Sequence, residues 1–132
     1  MTQEEKQLLL ADLCVRLPYG VMIHSFYDTY GDVLATGIDL SKELIGCIKE
    51  DKNLCFEITY GFKPYLRPMS SMTEEEKQIY WDLCYQDQDD IWGKCRFDRI
   101  VDFCLKRHLD FRGLIEKGLA LEAPEGMYET KE

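Results

Sequence analysis

The sequence predicts an α+β fold: an N-terminal helix, a small curled antiparallel sheet, then C-terminal helices. Three observations carry that expectation. Apolar residues recur at helical spacing near the N-terminus and again between positions 97 and 108. The stretch from 19 to 68 is built instead of short β-branched and aromatic runs punctuated by Gly, Asp and Asn. The chain has 132 residues, the size of one domain with a sizeable core.

Thr2 and Glu5 have capping-box spacing, in which each side chain satisfies an orphan N–H of the first turn. Leu9, Leu10, Leu13, Cys14 and Leu17 then form one apolar stripe, and Pro18, which disfavours helical geometry at Leu17, ends the helix. Four strands follow, at Val21–Tyr27, Val33–Ile38, Leu44–Ile48 and Leu54–Ile58. Asp28-Thr29-Tyr30-Gly31 turns the first pair, with Gly31 free to take positive φ, and Glu50–Asn53 turns the second. Four short strands with tight connections suggest either an SH3-like barrel or an open meander. Gly37 and Gly46 lie inside strands, where glycine marks a bulge or a bend.

Gly61–Pro68 reads as an extended connector whose last residues add a fifth strand at a sheet edge, where proline is tolerated. Thr73 and Glu76 repeat the capping box and open a helix to Tyr85, with three glutamates complementing the positive end of its dipole. After a polar loop, Gln86–Lys94, the positions of Phe97, Ile100, Val101, Cys104, Leu105 and His108 define a third helix, Arg96–His108. An apolar turn at Leu114-Ile115 then frays into acid. The expected organisation is a single domain over 1–132, with a helix at 1–17, a β-rich part at 19–68, a helical part at 73–118 and an acidic tail at 119–132. One apolar interior is expected to serve all of it.

Sixteen basic against 25 acidic residues give a net charge of −9, opposite in sign to what a duplex-binding surface needs. No run approaches the ~20 apolar residues of a membrane span, and the acidic N-terminus lacks the basic region of a signal peptide. A cytoplasmic location follows, with no membrane contact. Six cysteines without a CxxC pair read as free thiols, with Cys14, Cys84 and Cys104 buried in helical segments. His24 lies mid-strand, and His108 is placed at the negative end of the third helix. Asp87-Gln88-Asp89-Asp90 opens like a calcium loop, but Trp92 and Asp98 stand where the glycine and closing glutamate belong. No phosphate-binding glycine loop or nucleophile elbow occurs, so no catalytic residue, metal ligand or cofactor is assigned.

Leu17-Pro18-Tyr19-Gly20, the run Lys63–Thr73, and Asp110–Ile115 with Gly118-Leu119-Ala120 resemble a group of uncharacterised small proteins from gut bacteria and their phages. The resemblance spans the chain and implies a bacterial or phage setting; it transfers no functional residue.

Sixteen aromatics remain to be placed. Tyr19, Phe26, Tyr27, Tyr60, Phe62 and Tyr65, with Arg67, and Tyr30 nearby, gather around the expected barrel as either packing or a shallow groove. With no reactive constellation, the expected role is a non-catalytic protein-interaction module with an unknown protein partner. A small barrel stacking single-stranded nucleic acid is the alternative, disfavoured by charge, and self-association into a homodimer stays open.

Overall fold

Both capping boxes form. In the computed structural model, which describes residues 2–26, 31–49, 52–57, 62–85 and 96–128, the Thr2 hydroxyl accepts the Glu5 N–H at 3.1 Å. The Glu5 carboxylate accepts the Thr2 N–H at 2.8 Å. Helix α1 spans Gln3–Arg16, and Pro18 sits in a single 3-10 turn, Leu17–Tyr19, that follows it. The buried face is Leu9, Asp12, Leu13 and Arg16. It is therefore rotated away from the expected stripe, and Cys14 is exposed rather than buried. The cause lies on the other side of the contact: Arg16 donates to the Leu109 carbonyl at 2.7 Å, and Arg112 lies 3.1 Å from Asp12, so polar partners take that face.

Strands β1 (Met22–Ser25), β2 (Asp32–Asp39), β3 (Leu44–Lys49) and β4 (Lys52–Glu57) form an antiparallel meander. Gly31 takes φ +61°, and the β2–β3 register shifts between Ala35 and Gly37, where the glycine pattern places a bulge. The preceding turn residues 28–30, Ile58, and the turn residues 50 and 51 lie outside the described residues. Strand β5 (Phe62–Leu66) pairs with β1, and β6 (Leu121–Glu122) pairs in parallel with β5. The order β4-β3-β2-β1-β5-β6 is an open sheet, not a closed barrel. Closure would require the chain to return to β4; β5 instead extends the sheet beyond β1. It is thus an interior strand and not an edge. Pro64 fits there because Ser25 gives its N–H to Gly31 on the β2 side. By alternation Ile23, opposite Pro64, points its backbone the same way and asks no donor of the proline.

Helices α2 (Glu74–Tyr85) and α3 (Arg96–Lys106) pack together. Their apolar residues do not join the interior under the sheet. Phe103, Cys104 and Leu109, with Met69, Met72 and Ile79 against them, form their own cluster. The main cluster combines Leu9 and Leu13 with the inner sheet face and with Leu114, Leu119 and Ala120. In place of one shared interior, the buried apolar side chains of the described residues fall into two clusters, and at their junction the Arg67 N–H binds the His108 carbonyl at 2.7 Å while the Arg67 carbonyl accepts the Asp110 N–H at 2.8 Å. The loop 86–94 lies outside the described residues, as do the acidic residues 87, 89, 90, 129 and 132.

The expected fraying tail is structured as far as Tyr128. The Asp110 carboxylate caps the N–H groups of Leu114 and Ile115 at 2.8 and 2.9 Å. Gly113 and Gly118 take positive φ, and Leu119 and Ala120 are buried. Tyr128 reaches the sheet itself. Its hydroxyl accepts the Met22 N–H at 2.8 Å and donates to the Tyr65 carbonyl at 2.7 Å, bridging β1 and β5 where they separate.

His108 lies beyond α3 rather than in its last turn. The bonds His108 N–H to Leu105 O and Leu109 N–H to Cys104 O make a Schellman cap, with His108 at φ +60° in the position glycine usually fills. Its ring stacks on Tyr128 at 3.8 Å. Burial, then the charges of Arg16 and Arg67, push the imidazole down to about 4. A base whose folded pKa lies below its unfolded value favours folding while neutral, so this contribution is complete above pH 6.5 and lost as pH falls toward about 4. At full strength the shift is worth roughly 3 kcal/mol, and solvent contact trims it to roughly 1–2 kcal/mol. Thermal melts from pH 7.5 to 4 are expected to show that loss in the native chain and a flatter profile in His108→Gln. Equal profiles would show that the ring carries no such linkage.

Candidate binding surface

Two-residue alternation sorts the predicted aromatic cluster onto two faces. In β5, Phe62, Pro64 and Leu66 point inward, while Lys63 and Tyr65 point outward. Phe62 is 2% exposed, a core residue and not part of a groove. Arg67 is buried as well, with Nη2 donating to Glu76 Oε1 at 2.7 Å and Nη1 to Oε2 at 3.0 Å. Tyr27, Tyr30 and Tyr60 lie outside the described residues. Of the predicted set, Tyr19, Phe26 and Tyr65 remain at the surface, Tyr19 in the turn that leads into β1.

The registers assemble the outer face around Phe26 and Tyr65. Asp32, His24 and Lys63 stand side by side across β2, β1 and β5. Leu34 and Met22 make the next pair, and one further step of the β1–β5 and β2–β3 registers brings Tyr65 toward Met22, across the Tyr128 hydroxyl, and Ile48 beside Leu34. Leu34, Phe26 and Ile48 are each 45–53% exposed. Sequence reasoning noted His24 among aromatics and missed Asp32, Met22, Leu34 and Ile48. Their signal was the alternate spacing of Met22, His24 and Phe26, and of Asp32, Leu34 and Thr36.

A polar knot fixes the middle of this surface. His24 Nδ1 lies 2.8 Å from Asp32 Oδ1, which also accepts the Tyr65 hydroxyl at 2.9 Å. A carboxylate only accepts, so Nδ1 is the donor in this bond. The imidazole edge meets Phe26 at 5.4 Å and Tyr65 at 6.0 Å, both T-shaped. Burial, followed by the bond to Asp32, raises the Tyr65 phenol above its ordinary value. The arrangement fixes His24 among Phe26, Tyr65 and Asp32 on the outer sheet face, which suits recognition by contact.

The thiols are not drawn into this surface. Cys47 and Cys104 are buried, and burial raises both, Cys104 to about 11, away from the thiolate form that nucleophilic chemistry uses. Cys84 is half-buried, Cys14 and Cys55 are exposed, and Cys95 lies outside the described residues. Among the described residues no three His, Cys, Asp or Glu side chains come together as metal ligands, and no helix is long and apolar enough to cross a membrane.

No family model matches the chain, and no curated protein or solved structure matches it either.

Proposed function

We propose that the chain is a non-catalytic protein-interaction module that receives a partner polypeptide on the outer face of its sheet. One observation carries the reading: Leu34 and Met22 pair across β2 and β1 on the outer sheet face, one register step from Ile48 and from Tyr65, with Phe26 on the same face beyond His24, where alternation normally leaves polar side chains. Single exposed apolar residues are ordinary, whereas contiguous ones mark contact surfaces. Methionine and aromatic side chains are also the types enriched in the centres of interfaces. The resemblance noted in the sequence supports a bacterial or phage setting for the module.

Stacking of single-stranded nucleic acid is the weaker reading. It needs a run of cations beside the rings, yet Arg67 is neutralised by Glu76, and Lys63 shares its row with Asp32.

A photo-crosslinking residue at Leu34, used in native host lysate, should trap a discrete polypeptide that is then purified and titrated against the chain. Leu34→Asp with Ile48→Asp should weaken that binding at least tenfold, while Thr36→Asp, exposed in β2, leaves the fold and the melting temperature unchanged as a control. Crosslinks to the chain itself would assign the face to a homodimer. Unaltered affinity in the double variant would remove the face from the reading.

A further inference from the structure

A cleft of about 420 Å³ opens between the Arg67–Thr73 turn and the chain from Glu122 to Tyr128. Its size is within the range of ligand pockets. Pro68, Pro124 and Tyr128 supply apolar walls, Arg67 borders the interior, and Glu122 and Glu125 are exposed. The arginine is spent. Its five N–H groups go to the two Glu76 oxygens, the Ser71 hydroxyl, and the carbonyls of Ser71 and Arg107. Arg67 and Glu76 cancel in charge, so among the described residues lining the cleft no cation is free to hold an anion. What remains is two carboxylates that no described residue engages, on a chain with a net charge of −9.

We propose that this cleft receives a lysine or arginine side chain of a partner polypeptide, its alkyl stem against the proline and tyrosine walls and its charge between Glu122 and Glu125. The walls suit the stem of a long basic side chain, and the mouth suits its head. Tyr128, which lines the cleft, also holds the β1–β5 junction, its hydroxyl bonding the backbone of Met22 and Tyr65. The inference rests on the protein-interaction reading only in taking a polypeptide as the ligand, and it names a different set of residues.

Its test uses the full chain, labelled with 15N, and blocked pentapeptides Gly-Pro-X-Pro-Gly with X as arginine, lysine, citrulline or glutamate. The arginine and lysine peptides are expected to move the amide signals of Ser71, Thr73 and the segment 122–128 in a saturable, salt-sensitive way, with citrulline and glutamate at least tenfold weaker. Glu122→Gln with Glu125→Gln, both at exposed positions, should weaken the basic peptides at least tenfold and leave the melting temperature in place. Leu34→Asp with Ile48→Asp should leave peptide binding intact, so the two sites fail independently. Equal shifts from arginine and citrulline, or unchanged binding after the double glutamine substitution, would overturn the proposal.

Discussion

Replacing Arg16 by Met is expected to cost about 3–5 kcal/mol of folding stability, the range for breaking one side of a buried ion pair. Arg16 and Asp12 are both 0% exposed, four residues apart on α1, with Arg16 Nε donating to Asp12 Oδ2. Arg16 also ties the helix to the Leu109 carbonyl at 2.7 Å, and its guanidinium lies 5.5 Å from the centre of the Phe111 ring. Removing it leaves the Asp12 carboxylate in the interior with only the half-buried Arg112 beside it, at 3.1 Å and without hydrogen-bond alignment. The cost comes from the stranded charge more than from the lost contact. Hence the double variant Asp12→Leu with Arg16→Met is expected to recover most of the loss, finishing within about 2 kcal/mol of the native chain. Urea unfolding of the three proteins measures this, and a single variant that loses less than about 1 kcal/mol would show that water reaches the pair.

Glu76→Ala should be almost as damaging, because one carboxylate does two jobs. It accepts the Thr73 N–H at 2.9 Å as half of the α2 capping box, and it neutralises Arg67 through two bonds with Arg107 3.6 Å away. A lost cap is worth about 1 kcal/mol, and a stranded buried arginine about 3 kcal/mol more. Glu76→Gln retains an amide oxygen for the cap and should lose less. Acid provides a second readout. Hydrogen bonds from Arg67, ahead of smaller contributions from Thr73 and Arg107, hold the Glu76 carboxyl below 4.5. A carboxyl with a depressed folded pKa stabilises above its unfolded value and loses that contribution as pH falls through the folded one. The native chain should therefore steepen its loss of stability below pH 4.5, and Glu76→Ala should be shallower there. Identical slopes below that pH would detach Glu76 from the acid response.

Local chemistry and the two hairpins, β1–β2 and β3–β4, were readable in advance, and the placement of β5 was not. Thr2 with Glu5, and Thr73 with Glu76, are satisfied within one turn, so spacing alone locates those helix starts. Gly37 likewise marked its bulge. The candidate surface depended on whether Phe62 or Tyr65 faced the core, and a one-residue slip reverses every such assignment. Only the pairing of β5 with β1 decides it. Asp12 and Arg16 were passed over because charge on a helix ordinarily marks the solvent side, while their partners lie almost a hundred residues away. The same reasoning misread the segment after Gly118. Glu122 and Glu125 suggested a solvated tail, although the run Leu119-Ala120-Leu121 already offered an apolar anchor, of which Leu119 and Ala120 are buried and Leu121 opens β6.

A nascent chain meets the Tyr128 bridge as a problem of timing. The residues it joins to Met22 are separated by 106 positions, so β1 leaves the ribosome long before the hydroxyl that bonds its first N–H has been made. Non-local closures of this kind are slow, because loop entropy is lost before the contact forms. Until then the opening amide of β1 is left to water.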